Sequence, residues 1–388
     1  VQFDERGNDQ IGSINYTSGT TGFSKGVVMP LNGLAGNIRY AMEHHLVSTE
    51  SRHVTFLPLA HAYGCAFDFL ACLSAVGHTY LVGRTPSPKI LLKAFAEIKP
   101  TIILSVPLIL EKIYKKMIVP QIQKPPVSWV LKVPFLDEVV CSKIREQLME
   151  AFGGAFKQMI IGGAPLNPEV EAFLYRIKFP MSVGFGMTEC APLITFTPYD
   201  EGSKLGSCGK PLEGIMEVKI LDPNEEGIGE VVVRGENTMQ GYYKKPDATK
   251  DAFTEDGWLR TGDLGCLDSD GFLYIKGRCK TMLLGPSGQN IYPEEIEAKI
   301  NNMPFVLESL VLQQEDNRLV ALICPDYNEV DASGLTREQL DELMEDSRKQ
   351  VNSELAAYEQ ISIVKLYPHE FEKTPKKSIK RFLYTNMV

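Results

Sequence analysis

No run of this 388-residue sequence is long and apolar enough to be read as a membrane span. The longest, such as Thr101 to Leu110, fall well short of the ~20 residues a spanning helix needs. The eight cysteines contain no C-x-x-C pair and no metal-ligand spacing, so neither a zinc site nor a disulfide framework is signalled. Scattered thiols of this kind suit a reducing, cytoplasmic setting, with most of them in the core. Basic residues are not in excess: 40 Lys and Arg against 49 Asp and Glu give a net charge of −9, which argues against a general nucleic-acid binder. A Walker A loop is missing too, because G-x-x-x-x-G-K-[ST] cannot be laid on any glycine-rich stretch here. Neither an initiating methionine nor a signal peptide opens the chain, which starts at Val1. What remains is ordinary for a globular protein, 44% hydrophobic and 23% charged, with length for two or three domains.

The unusual chemistry is concentrated in Tyr16 to Gly26, Y-T-S-G-T-T-G-F-S-K-G. The hydroxyls of Thr17, Ser18, Thr20 and Thr21, three glycines (Gly19, Gly22, Gly26) and Lys25 are among its eleven residues. Glycine lets successive N–H groups turn into one concavity, which suits an anion. The hydroxyls add donors, and the Lys25 ammonium adds a charge that can follow a phosphate. Ile11 to Tyr16 and Val27 to Met29 read as flanking strands, with no helix opening directly after the lysine. A loose Ser/Thr/Gly stretch is ordinarily a polar hairpin loop. This density around an embedded lysine predicts a nucleoside triphosphate loop instead.

Residues 30–46 read as a helix, followed by a strand near Val54 to Leu57 that ends in L-P-L-A-H-A-Y-G. His61 in that string is, taken alone, a packing residue. Phe67 to Ala75 reads as an apolar helix, core for most of its residues and a candidate pocket wall. From Pro88 the pattern alternates: helix to Ile98, strand Thr101 to Val106, helix Leu108 to Met117. Past a proline-rich break at 120–134 come a helix near 138–151, strand Lys157 to Ile161, a helix after Asn167 and strand Met181 to Phe185. Such alternation predicts an α/β fold with parallel-sheet layers. Two loops follow strand ends, Gly162-Gly163-Ala164-Pro165 and Gly184-Phe185-Gly186-Met187-Thr188-Glu189, the place where such sheets bind ligands. Their glycines would admit a flat ring close to the backbone. Glu189 is an oxygen ligand of the kind Mg²⁺ prefers, with Thr188 beside it.

Leu205 to Lys276 changes character: short runs separated by Gly, Pro and Asp predict a small β-barrel-like or open sheet. It contains W-L-R-T-G-D-L-G, in which Asp263 would ordinarily be a turn carboxylate. Residues 280–388 predict a compact α+β domain, with a capping-box signal at Thr336 and Gln339. That stretch holds 12 basic and 18 acidic side chains, a balance of −6. Yet Lys373, Lys376, Lys377, Lys380 and Arg381 cluster without an acid among them, so an anionic partner is expected there. The divisions expected are 1–204, 205–278 and 279–388.

Taken in order, these motifs resemble the adenylate-forming superfamily: acyl-CoA synthetases, peptide-synthetase adenylation domains and luciferases. The resemblance runs from Ile11 to about Leu383 and is strongest to AMP-forming long-chain fatty-acid–CoA ligases. It implies activation of a fatty acid by ATP to acyl-AMP with pyrophosphate release, then transfer to CoA. It assigns Thr17, Ser18, Gly19, Thr20, Thr21, Gly22 and Lys25 to the phosphates. Gly162, Gly163, Ala164, Gly184, Phe185, Gly186, Met187 and Thr188 fall to the adenine side. Glu189, with Thr17, falls to Mg²⁺; Asp263 and Arg278 to the ribose; His61 to the acyl–adenylate site; Lys280 to a hinge. Ser24 stands where the family usually has proline. The tail reads T-P-K-K-S-I-K-R where the usual pattern is T-P-x-x-K-I-K-R, so Ser378 takes the catalytic place and either Lys377 or Lys380 must substitute. Contact with a membrane would be peripheral, through the lipid substrate; oligomeric state is not legible. An amino-acid- or aryl-acid-activating domain is the rival, and Asp68 is the one acid near the pocket wall that could meet an ammonium. Relatives usually carry a long segment before the phosphate loop. The chain therefore reads as N-terminally truncated, expected to bind adenine nucleotide weakly and to turn over no fatty acid alone.

Overall fold

Two antiparallel strands flank the glycine-rich segment as a β-hairpin. Strand Ile11–Ser18 pairs antiparallel with Ser24–Pro30, placing Thr17 opposite Lys25, and Gly241–Tyr242 adds to the other edge of Ser24–Pro30. No helix follows Lys25 directly; the next begins only after Pro30, as Leu31–Glu43. The computed structural model describes residues 7–18, 24–84, 86–125, 127–131, 133, 136–285, 289–373 and 379–387.

The alternating region forms parallel layers, as its pattern predicts. Ile102–Ser105, Gln158–Ile161 and Met181–Val183 run parallel in that order, and Arg52–Thr55 pairs in parallel with His78–Leu81. Their helices start where the sequence offers caps. Ser87 accepts from the Ile90 amide ahead of Pro88–Ile98, and Asn167 accepts from Glu169 and Val170 ahead of Pro168–Arg176. In both, proline fills the first turn, where its missing N–H costs nothing. Phe95 of helix Pro88–Ile98 meets Phe152, just past helix Leu136–Ala151, with ring centroids 5.7 Å apart, and Phe152 continues to Phe179 at 6.0 Å.

Met216–Leu221, Gly229–Gly235, Leu259–Leu267 and Leu273–Arg278 form one sheet in that order. It is open rather than closed among the described residues. A closed barrel with a side-chain-filled interior takes about eight strands, and this sheet has four.

The chain divides into two compact units. One is Val1–Gly227 with Val231–Thr261 and Cys266–Tyr274; the other is Ile275–Val388 with Ile228–Glu230 and Gly262–Gly265. In the second, strand Leu319–Pro325 lies between antiparallel Val306–Gln313 and parallel Ile361–Leu366. Every residue of Leu319–Pro325 is buried because both faces of the sheet are covered. Ile296, Ile300, Leu340, Met344 and Val351 of helices Pro293–Ile300 and Arg337–Asn352 cover one face. Phe371 and Tyr384 cover the other. The capping box at Thr336 and Gln339 is present in full.

Candidate active site

Lys25 leaves the hairpin one residue before Gly26, and its ammonium lies over the ring of Tyr242, 4.5 Å from the centroid. The phenol of Tyr242 donates to Oε1 of Glu189 at 2.9 Å. Three segments far apart in sequence thus meet: the hairpin, the short turn Thr188–Cys190 and the strand Gly241–Tyr242. The Met239 amide donates to the Glu189 carbonyl at 2.8 Å, which fixes the backbone of that turn as well. Burial pushes the Tyr242 phenol well above its ordinary value, and the Glu189 charge adds to this. Tyr242 therefore stays a donor across the physiological range.

The turn carrying Glu189 is held from behind by two asparagines. Asn37 donates to the Ala191 carbonyl at 2.7 Å and accepts from the Leu193 amide at 3.2 Å, while Asn237 donates to the Leu193 carbonyl at 3.0 Å. Phe185 and Gly186 pair antiparallel with Thr195 and Leu193, and the Met187 amide donates to Pro192. A side chain at Gly186 would overlap the Pro192 carbonyl. Glycine is required there because two backbones approach closely.

The Gly162 loop is backed by an aromatic ring. Tyr63 donates to the Ile160 carbonyl at 3.1 Å, and a Cβ on Gly162 would already touch its ring at 3.5 Å. Gly163 takes a φ of +88°, while Gly163 and Ala164 lie exposed. The Gly184 amide donates to Ile161, which binds the two glycine loops side by side. His61 is half-buried, its amide bonded to Pro58 and its carbonyl to Cys65. Asn15 of the hairpin reaches the Ala60 carbonyl beside it at 3.4 Å.

Two expectations change. Phe67 to Ala75 is helical, wound as a π-helix over Gly64–Ala71 and continuing through Cys72–Ser74. Asp68 on it does not offer a carboxylate to a substrate ammonium: it is 1% exposed and faces the equally buried His53, Nδ1 to Oδ1 3.7 Å. Burial pushes its carboxyl up, with His53 opposing. The basic tail, in turn, is not a free anionic-partner surface at its described positions. Lys373 pairs with Glu308 at 2.6 Å, Lys380 with Glu372 at 3.2 Å, and Arg381 with Glu297 through two hydrogen bonds of 2.8 and 3.0 Å. Lys376, Lys377 and Ser378 lie outside the described residues, as do Gly19, Thr20, Thr21 and Gly22. Within the second unit Asp263 is buried and accepts from Arg278 Nε at 3.0 Å, with the Gly262 carbonyl taken by the Cys279 amide.

Tyr242 was missed in the sequence because it carries no charge. The available signal was Q-G-Y-Y-K-K-P, a glycine–aromatic pair just before a proline-led helix.

The donor set suits a hard cation and a phosphate. Among the described residues, one oxygen of Glu189 is taken by the phenol and no partner is recorded for the other. The α/β fold is the one seen in adenylate-forming enzymes. The chain belongs to the AMP-binding enzyme family, whose model matches residues 2–243; the AMP-binding enzyme C-terminal domain matches residues 281–387. It is similar to the long-chain-fatty-acid–CoA ligase FadD15 of Mycobacterium bovis, 32% identical over 337 residues, covering 80% of this chain and 54% of that protein. A putative acyl-CoA synthetase of Bacillus subtilis, YngI, is 32% identical over 330 residues, covering 81% and 54%. The chain spans about half the length of the curated relatives it matches. Among solved structures, ATP-bound MatB from Rhodopseudomonas palustris superposes with a TM-score of 0.77 at 25% identity, covering 98% of this chain and 70% of that one. The adenylation domain of a Mycobacterium chelonae carboxylate reductase gives 0.79 at 25%, covering 98% and 59%.

Proposed function

We propose that the protein represented by this chain activates a long-chain fatty acid with ATP, releasing pyrophosphate, and passes the acyl group from acyl-AMP to CoA. The observation that carries this reading is the meeting of Lys25, Tyr242 and Glu189 beside the strand Ser24–Pro30. Lys25 would lean from the ring onto the β- and γ-phosphates, and the loop amides and hydroxyls would cradle them. Glu189, with Thr17, would hold Mg²⁺, which supplies charge neutralisation on the phosphate oxygens. Asp263 would take the ribose hydroxyls, with Arg278 fixing its carboxylate. Displacement at phosphorus asks for positioning and charge more than for covalent help, which this set of residues can offer. The tail would add a lysine, from Lys377 or Lys380, by rotation about Lys280.

Long-chain acids are the favoured substrate because two ligases of that kind are 32% and 30% identical to this chain over the matched segments. An amino acid is disfavoured, since Asp68 is turned into the core. An aryl acid stands as the second reading: the neighbours include an O-succinylbenzoate CoA synthetase. Pyrophosphate release measured with a long-chain fatty acid, an amino acid, an aryl acid and no acid discriminates among them. Release driven by the fatty acid alone supports the proposal. Release driven by another acid replaces the substrate, and release that needs no acid removes the ligase reading.

A further inference from the structure

Tyr242 joins the two oppositely charged groups of the site without letting them meet. Its ring lies under the Lys25 ammonium and its hydroxyl holds one oxygen of Glu189. Among the described residues Lys25 and Glu189 form no direct ion pair. Each instead meets Tyr242, one at the ring face and the other at the hydroxyl. An ammonium and a carboxylate on neighbouring segments of a half-buried site attract each other strongly. A direct pair would occupy both groups and leave neither for a ligand.

The backbone makes Tyr242 a rigid spacer. Tyr242 is opposite Val27 in the strand pairing, two residues from Lys25. Gln240 donates to Val28 at 2.9 Å, the Tyr243 amide donates to Gly26 at 2.7 Å, and the Tyr242 amide is taken by the Thr249 hydroxyl at 2.8 Å. Gly241 before it has a φ of +147°, and any Cβ there would press on Thr249. The ring thus cannot drift along the strand. Its two contacts differ in kind: the face meets a cation, and the hydroxyl meets a carboxylate.

We propose that Tyr242 is a positioning residue for the nucleotide site. It prevents a Lys25–Glu189 ion pair, holds the ammonium ready for phosphate, and leaves the second oxygen of Glu189 for a divalent cation. The proposal rests on the nucleotide reading of this site. It predicts that the hydroxyl and the ring have separable effects. Tyr242→Phe keeps the ring under Lys25 and releases Glu189; Tyr242→Leu removes both contacts and lets the pair form.

The test uses the full chain, with ATP affinity measured by calorimetry in the absence of metal and Mn²⁺ affinity of the ATP complex followed by water-proton relaxation. Far-UV circular dichroism confirms that each variant is folded. Tyr242→Phe should raise the Mn²⁺ midpoint about tenfold, the scale of one hydrogen bond to a charged group, and leave metal-free ATP affinity within about twofold. Tyr242→Leu should also weaken metal-free ATP binding about tenfold, because Lys25 is captured. Adding Glu189→Gln to Tyr242→Leu should restore that binding, since the captor is gone. An unchanged Mn²⁺ midpoint in Tyr242→Phe overturns the proposal. So does Tyr242→Leu binding that Glu189→Gln fails to recover, which assigns Tyr242 to packing alone. A wild-type chain that binds no ATP overturns the nucleotide reading itself, and the proposal with it.

Discussion

Removing the Arg381 guanidinium should loosen the second unit, and should do so more at pH 8 than at pH 5. Arg381 donates twice to Glu297, at 2.8 and 3.0 Å, and once to the Val311 carbonyl at 2.8 Å. Oε1 of Glu297 also accepts the Val311 amide at 2.6 Å. Glu297 is buried; burial pushes its carboxyl up, and Arg381 is the chief influence pulling it down. Arg381→Met keeps apolar bulk but leaves the carboxylate without its counter-charge. Breaking a buried pair in this way costs about 3–5 kcal/mol. The sign with pH follows from the raised carboxyl. With its folded-state pKa above the unfolded value of about 4.3, Glu297 is best accommodated while protonated. That stabilisation is complete below the unfolded pKa and is lost as pH rises through the folded one. The variant raises the folded pKa further, so its penalty grows from pH 5 to pH 8. Hydrogen exchange at the Val311 amide reads this directly. Relative to wild type it should accelerate between about a hundredfold and a few thousandfold at pH 8, at about 1.4 kcal/mol per decade. The ratio should be smaller at pH 5, and Glu297→Gln added to the variant should recover part of the loss. Equal exchange in variant and wild type, or a penalty that grows towards acid, refutes the reasoning.

Glu189→Gln should raise the Mg²⁺ required for half-maximal pyrophosphate release, because a neutral amide is a poorer ligand for a hard cation; an unchanged metal dependence would make Glu189 structural. Lys377→Ala and Lys380→Ala, assayed in each half-reaction, should part: the lysine that serves adenylation loses acyl-AMP formation but keeps thioester formation from supplied acyl-AMP. Loss of both half-reactions in both variants points to a general electrostatic role instead. Asn37→Ala should destabilise the first unit by roughly 1–3 kcal/mol, since it strands the Ala191 carbonyl and the Leu193 amide in the core. A thermal midpoint equal to wild type would show that water replaces both bonds.

The hairpin, the parallel layers and the capping box were legible because local residues dictate them. Strand-forming residues flank the glycine-rich segment, and apolar periodicity sets the helices between strands. Tyr242 was not legible: its meaning comes from Glu189, 53 residues earlier in the chain. Asp68 misled for the same reason, since it faces the buried His53 across a strand and a π-helix, a contact that only tertiary packing creates. The tail misled through its charge count. Five basic residues with no acid among them look free in sequence, yet Glu297 and Glu308, more than sixty residues upstream, reach Arg381 and Lys373. The four-stranded sheet stayed ambiguous because short strands and turns look alike whether a sheet closes or stays open.

Calorimetric titration of the 388-residue chain with ATP, with and without Mg²⁺, beside Lys25→Ala, tests the central claim most directly. Saturable binding that Mg²⁺ strengthens is expected, and Lys25→Ala should weaken it by at least about tenfold, the phosphates having lost a cation. No heat at millimolar ATP, or equal binding by wild type and Lys25→Ala, contradicts the assignment of the hairpin turn to the triphosphate.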